Sequence, residues 1–200
     1  MKYKFKTEPR GKQAEVLETS WLQREHAFLC RPGTGKSKLN LDTAGALWTE
    51  NLIDALVVIA PDGVDRQWID EAVPRHLSDD VPRACANYYS GMGKRAYEQI
   101  MNLSLLPRKR YLSIATISFD GLQTPRGREF IKSVQARHRT MLCVDESHRA
   151  ANPKAATHKA IVPVARLARY RRIATGTLIR QNPFSAYGQF ELLGKGLLGF

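Results

Sequence analysis

Residues 27–50 read AFLCRPGTGKSKLNLDTAGALWTE. Ala27 to Cys30 is an apolar run of strand length. Pro32, Gly33 and Gly35 then interrupt regular structure, and Lys36 to about Glu50 reads as a helix. A strand, a glycine-rich turn and a helix in that order form an anion trap. Backbone N–H groups and the positive end of the helix dipole converge on the same point. Gly33 and Gly35 let the backbone at Gly33-Thr34-Gly35 curl around phosphate oxygens without a Cβ clash. Lys36 can reach outer phosphates, and the Ser37 hydroxyl can ligate Mg²⁺. The strict pattern GxxxxGK[ST] wants glycine where this chain has Cys30, so its first position fails. The plainer alternative is an ordinary glycine turn ahead of a helix.

Outward from this stretch, strands and helices alternate. Gln13–Arg24 reads as a helix before the first strand, with Val16, Leu17, Trp21 and Leu22 on one face. Ala55–Ala60, ALVVIA, is uninterrupted and β-branched at its centre, and Pro61 ends it. A helix over Val64–Leu77 follows, which Pro74 must bend or end. Further strands are expected near Cys85–Tyr89, Tyr111–Ile117, Met141–Asp145 and up to Thr175. Further helices are expected at Lys94–Leu106, Gly127–Arg137 and Ala155–Ala168, with a last one through Leu193 capped by Asn182 or Ser185. Strand–helix alternation with short connections predicts an α/β fold, a mainly parallel sheet with helices on both faces. Ligands in such sheets sit beyond the carboxyl ends of the strands. The loops RPGTGKS, PDG, DESH and TGT each follow a strand, so all four are expected at one edge.

Composition narrows the partners. With 200 residues, 43% hydrophobic and 25% charged, the chain has material for one well-formed core and is not a disordered polyelectrolyte. No apolar run is long enough to span a bilayer, so no membrane partner is expected. Lysine and arginine number 31 against 19 acids, a formal charge of +12, which favours a polyanionic partner. Cys30, Cys85 and Cys143 are too few and too scattered for a disulfide framework or a zinc site. They point to a reducing compartment, with Cys30 and Cys143 as buried strand thiols.

Two more loops carry chemistry. Asp145-Glu146-Ser147-His148 follows the apolar run MLCV. At a strand end, Asp145 is placed to hold a Mg²⁺ shell and Glu146 to orient and deprotonate a water. A solvated acidic turn is the alternative, and His148 reads equally as a hydrogen-bonded structural histidine or a coupling residue. Thr175-Gly176-Thr177 ends another strand; its hydroxyls can bond nearby carboxylates or backbone, although a plain turn fits as well.

The order RPGTGKS, APDGVDRQW, ISFDGL, DESHRAANPKA and ATGTLIRQNP resembles the first RecA-like motor lobe of superfamily-two DEAD-like helicases and translocases. It is most similar to the SWI/SNF-like branch in its compact phage-type form, and the likeness covers Phe5 to Phe200. The resemblance implies ATP and Mg²⁺ as cofactors. It implies that Gln13 reads the adenine edge and that Gly33, Thr34, Gly35, Lys36 and Ser37 hold the phosphates. Asp145 and Glu146 become the metal and water carboxylates. His148, Thr175, Gly176 and Thr177 become the elements linking nucleotide state to nucleic-acid grip. Pro61, Arg66, Ser118 and Phe119 fall in segments that track a nucleic-acid backbone, double-stranded DNA in this branch. The family's second lobe, with its arginine finger, is missing from these residues, and the end LLGKGLLGF looks like the middle of a longer protein. The implied setting is the cytoplasm, that of the host for a phage-borne chain.

Three other classes remain open on sequence: a P-loop small-molecule kinase, an ATP-independent nucleic-acid-binding module, and the motor subunit of a restriction system. A kinase would need an acceptor pocket and an arginine-rich lid, and it has no use for DESH followed by TGT. The basic segments Lys94-Arg95, Arg108-Lys109-Arg110 and Arg126 to Arg139 are candidate phosphate contacts. Each alone also fits a solvated helix face.

Overall fold

The uninterrupted run Ala55–Ala60 forms β2 and is buried along its whole length, because it lies inside a sheet covered on both faces. The computed structural model describes residues 2–179 and 184–194. The strands are β1 (Glu25–Leu29), β2 (Ala55–Ala60), β3 (Arg83–Tyr88), β4 (Leu112–Ser118), β5 (Thr140–Asp145) and β6 (Tyr170–Thr175). They form one six-stranded sheet in the order β1-β6-β5-β2-β4-β3, with every pair parallel. The helices are α1 (Lys12–Ser20), α2 (Lys36–Thr49), α3 (Val64–Gln67), α4 (Val73–His76), α5 (Lys94–Met101), α6 (Phe119–Gln123), α7 (Pro125–Arg137), α8 (Ala156–Leu167) and α9 (Phe184–Glu191). Among the described residues no helix is long and apolar enough to cross a membrane.

Strand periodicity sorts the core into two layers. Val57 and Ile59, with Ile117, Leu142 and Val144, pack with Phe130, Ile131 and Val134 of α7 and Ile161 and Val164 of α8. Leu56, Val58 and Ala60, with Ile114, Met141 and Cys143, pack with Leu41, Ala44 and Leu47 of α2, together with Trp68 and Val73. Because all strands run the same way, the loops after β1, β2, β5 and β6 leave the sheet at one edge, as the sequence implied.

Several boundaries differ from the sequence expectation. β1 starts at Glu25 and ends at Leu29, so Cys30 lies just past it and is only half-buried. Glu25 and His26 look like loop residues but pair with Arg171 and Arg172 of β6, and Glu25 makes an ion pair with Arg171. As the edge strand, β1 tolerates this polar start. The helix expected over Val64–Leu77 is interrupted by a wide π turn, Trp68–Ala72, between α3 and α4. Pro74 has no N–H to donate back into the preceding turn. The helix expected to Leu106 turns into a tighter 3₁₀ turn at Asn102–Leu105. The short α6 was not foreseen; Ser118 caps it by accepting the Gly121 N–H at 3.0 Å. Ser185 lies inside α9 rather than at its cap, and the helix ends at Glu191 rather than Leu193. Asn182, the other proposed cap, lies outside the described residues.

Arg172 is fully buried in β6. Its guanidinium donates to the carbonyls of Ser20, Trp21, Gln23 and Arg24, which lead from α1 into β1. Burial lowers its pKa to about 10. These bonds end α1 early and tie the helix carrying Gln13 to the strand carrying Thr175.

Burial also sets a pH dependence. His26, half-buried beside Arg172 and Phe28 with Gln23 Oε1 2.9 Å from its Nδ1, has its pKa lowered to about 4, mainly by desolvation and then by Arg172. His76 and His138 are shifted down as well, again first by burial. A depressed folded pKa stabilises the fold above the unfolded value of about 6.5, and that stability is lost as pH falls toward 4. Asp42, raised to about 6 by burial, acts in the opposite sense, its stabilisation being lost as pH rises through 6. Comparing His26→Gln with the parent isolates the histidine. The parent's melting temperature is expected to drop between pH 7 and pH 5 by about 2–4 °C more than the variant's, for a solvent-discounted share of about 1 kcal/mol. Equal drops would show that His26 titrates alike folded and unfolded.

Candidate functional site

The glycine-rich loop, the acidic turn and the TGT turn meet at the carboxyl edge of β1, β5 and β6. Gly33 and Gly35 adopt left-handed φ values of 79° and 88°, which side-chain-bearing residues rarely adopt. Gly35 is also closely approached. A Cβ there would lie 2.6 Å from Gln13 Nε2. Gln13, at the start of α1, donates from that nitrogen to the Thr34 carbonyl at 2.8 Å and accepts the Arg10 N–H on its Oε1 at 3.0 Å. The glutamine therefore braces the loop from outside, and the loop turns into α2 at Lys36.

Lys36 lies across the edge from the acidic turn. Its Nζ is 2.8 Å from Glu146 Oε1, with side-chain exposures of 9% and 30%. Asp145 ends β5 and is buried. Both its oxygens are held, Oδ1 by the Glu146 backbone N–H at 3.0 Å and Oδ2 by the Trp68 indole N–H at 3.1 Å. Burial pushes its pKa up and the Glu146 charge adds to this, while Trp68 and Lys36 oppose it. A carboxylate in that position is relieved by a cation. Glu146 itself sits in the left-handed region at φ 48°, a strained placement for a residue with a side chain.

The turn continues into the TGT loop. His148 Nδ1 is 3.2 Å from Glu146 Oε2 and 3.1 Å from Thr175 Oγ1. Thr175 Oγ1 in turn accepts the Thr177 N–H at 3.0 Å, and the Thr175 carbonyl accepts the Cys30 N–H at 3.1 Å. A Cβ on Gly176 would stand 3.0 Å from Pro32 of the glycine-rich loop. Lys36, Glu146, His148 and Thr175 thus form one polar chain across three strand ends. On the far side of the acidic turn, Ser147 donates to Gln189 Oε1 at 2.7 Å, and Gln189 Nε2 donates to the Leu178 carbonyl at 2.7 Å. This second tie between the acidic and TGT segments passes through α9.

A cavity of about 700 Å³ opens between these parts, within the range of small-molecule sites. Gln13, Gly33, Gly35, Lys36, Ser37, Asp145 and Glu146 are in its wall. The fit to a nucleotide and Mg²⁺ rests on its chemistry: two left-handed glycines, a lysine, and a hydroxyl and a carboxylate as oxygen ligands. Among the described residues no cluster of three or more His, Cys, Asp or Glu side chains is placed to hold a metal.

The residues expected along a nucleic acid are spread more widely. Pro61 ends β2. Arg66 is exposed on α3 and paired with Asp70 at 3.1 Å. Ser118 is buried as the α6 cap, and Phe119 is 5% exposed with the Arg149 guanidinium 5.7 Å over its ring. The basic segments divide between the two edges of the sheet. Lys94 and Arg95 open α5 and Arg126 lies in the first turn of α7, all following strands at the cavity edge. Arg108 to Arg110 precede β4, and Arg139 precedes β5 at the opposite edge. Arg139 is committed there to Asp54 at 2.8 Å. Sequence reasoning missed the bond from Trp68 to Asp145 and the role of Gln189. Trp68 entered the sequence reading only as the last residue of APDGVDRQW, and no local signal marks a contact across 77 positions.

An all-parallel α/β sheet with these loops at its carboxyl edge is a RecA-like lobe. No family model and no curated protein matches the chain. Solved structures do. The SWI2/SNF2 ATPase core of Sulfolobus solfataricus in complex with dsDNA is similar at a TM-score of 0.74 and 19% identity, over 100% of this chain and 38% of that one. The UvsW helicase from bacteriophage T4 is similar at a TM-score of 0.64 and 16% identity, over 94% of this chain and 59% of that one. The chain therefore spans less than two thirds of either protein, and at these identities the likeness establishes the fold.

Proposed function

We propose that the chain is the ATP-binding first lobe of a nucleic-acid-dependent motor, a helicase or translocase that couples Mg-ATP hydrolysis to movement on DNA. The observation that carries the reading is the Lys36–Glu146 pair at 2.8 Å, with Asp145 alongside and the glycine-rich loop beneath. Phosphoryl transfer to water is mostly positioning and charge stabilisation. In this reading the loop N–H groups and Lys36 hold the phosphates. Ser37 and Asp145 would hold Mg²⁺, which supplies charge neutralisation on the phosphates. Trp68 keeps Asp145 oriented. Glu146 accepts the proton of the attacking water once Lys36 turns from it to phosphate. His148 then meets a changed Glu146, and Thr175 and Thr177 receive that change through His148.

A second α/β lobe would supply the arginine, worth about 10³–10⁵ in rate in comparable enzymes. The 200 residues alone are therefore expected to bind Mg-ATP weakly and to turn it over very slowly. Nucleic acid would be held through its phosphates by Lys94, Arg95 and Arg126 at the carboxyl edge of the sheet, with Pro61 after β2 and Arg66 of α3 at the same edge. Such binding ignores sequence and releases counterions. For about four phosphate contacts, affinity for a random-sequence duplex is expected to fall about 10²-fold between ~50 and ~200 mM salt. Fluorescence anisotropy with and without Mg-ATP checks this. Salt-sensitive binding indifferent to ATP would leave a nucleic-acid module without a motor. ATP consumption driven by a small acceptor and unmoved by DNA would point to a kinase.

A further inference from the structure

Four cations line the 700 Å³ cavity: Arg10, Lys36, Lys38 and Arg75. Two are committed. Lys36 pairs with Glu146. Lys38, 6% exposed, is fixed by Asp42 Oδ2 at 2.7 Å and by the Thr7 carbonyl at 2.6 Å. Arg75 is exposed at the end of α4 and makes no side-chain hydrogen bond or ion pair among the described residues.

Its position is set by the irregular helical segment after β2. Trp68, Glu71, Ala72, Arg75 and His76 recur at the three- and four-residue spacing of one helical face. They line a second cavity of about 180 Å³, whose opposite wall is Ser37. Trp68 anchors this face on Asp145, so the face looks toward the hydroxyl and carboxylate assigned to the metal. Arg75 and His76 border both cavities, with Ser37 common to the two. His76 Nδ1 is buried with no hydrogen-bond partner. Arg10 sits instead beside Gln13, whose Oε1 accepts its backbone N–H. Among the described residues no Phe, Tyr or Trp lines the larger cavity.

We infer that Arg75 is a second phosphate ligand of the nucleotide site, gripping the polyphosphate from the side opposite the glycine-rich loop. The inference rests on the nucleotide reading of the cavity and adds to it a second charge on the polyphosphate: the triphosphate is held between Lys36 and Arg75. A guanidinium suits this role because it can bond two phosphate oxygens at once and stays charged.

Calorimetric titration of the 200-residue chain with Mg-ATP, Mg-GTP and inorganic tripolyphosphate tests it. The parent, Arg75→Gln, Arg75→Lys and Lys36→Ala are compared, with melting temperatures as a control for folding. Arg75→Gln is expected to weaken all three ligands by about tenfold and equally, and Arg75→Lys to restore part of the loss. Unchanged affinities in Arg75→Gln, with binding lost in Lys36→Ala, would make Arg75 a solvated surface charge and overturn the inference alone. A loss confined to ATP and GTP would place Arg75 on the ribose or base and overturn it too. Binding unaffected by Lys36→Ala would remove the nucleotide reading itself.

Discussion

Lys36→Ala is expected to abolish stabilisation of the chain by Mg-ATP while leaving the unliganded fold nearly as stable as before. Lys36 is the lysine at which the glycine-rich loop passes into α2, and its side chain is 9% exposed. Removing one partner of a desolvated charge contact typically costs 2–5 kcal/mol, so nucleotide affinity should fall by at least about 30-fold. The fold itself loses less. Glu146 keeps His148 at 3.2 Å, and its side chain is 30% open to water, so no buried charge is stranded. Ligand at 100 times its Kd stabilises a protein by about 2.7 kcal/mol, which for a chain of this size is about 5–10 °C in melting temperature. The parent should show such a shift at saturating Mg-ATP, with matching protection from proteolysis, and the variant none. A variant that is still protected would take the glycine-rich loop out of the site.

That loop was legible in sequence because each of its physical requirements is local. Gly33 and Gly35 supply positive φ values, and Lys36 and Ser37 open a helix whose preceding strand is apolar. β2 and β5 were legible for the same reason: an apolar run that begins and ends sharply has one solution inside a parallel sheet. The polar start of the edge strand β1 was not, since Glu25 and His26 join it only through β6, about 146 residues away in the chain. Nor could the sequence place β6 between β1 and β5, the neighbour relation that puts His148 on Thr175. The π turn at Trp68 is the sharpest case. Pro74 announces a break, but the direction in which the broken helix points depends on the indole reaching Asp145. That contact makes the indole part of the site and brings Arg75 to the cavity.

Glu146→Gln should separate binding from hydrolysis, with opposite signs. Gln is close to isosteric with Glu and keeps an oxygen that His148 can bond, so the left-handed turn at residue 146 has no new steric reason to move. It has no basic carboxylate, so proton abstraction from a positioned water is lost; general-base contributions run at about 10²–10⁴ in rate. Turnover should drop by that factor when measured with a second lobe present, or in single-turnover hydrolysis with the 200-residue chain in excess over nucleotide. Affinity should move the other way. In the parent, phosphate must compete with Glu146 for Lys36 across the 2.8 Å pair. A neutral amide makes a weaker competitor, and partly exposed ion pairs are worth about 0.5–1 kcal/mol, so Mg-ATP should bind about two- to fivefold more tightly to the variant. Tighter binding with lost hydrolysis is a joint outcome that a merely structural glutamate would not produce, because damage to the turn would weaken both. If Glu146→Gln hydrolysed at the parental rate, another group would have to activate the water. If it bound less tightly, the Lys36–Glu146 pair would be holding the site open for nucleotide rather than competing with it.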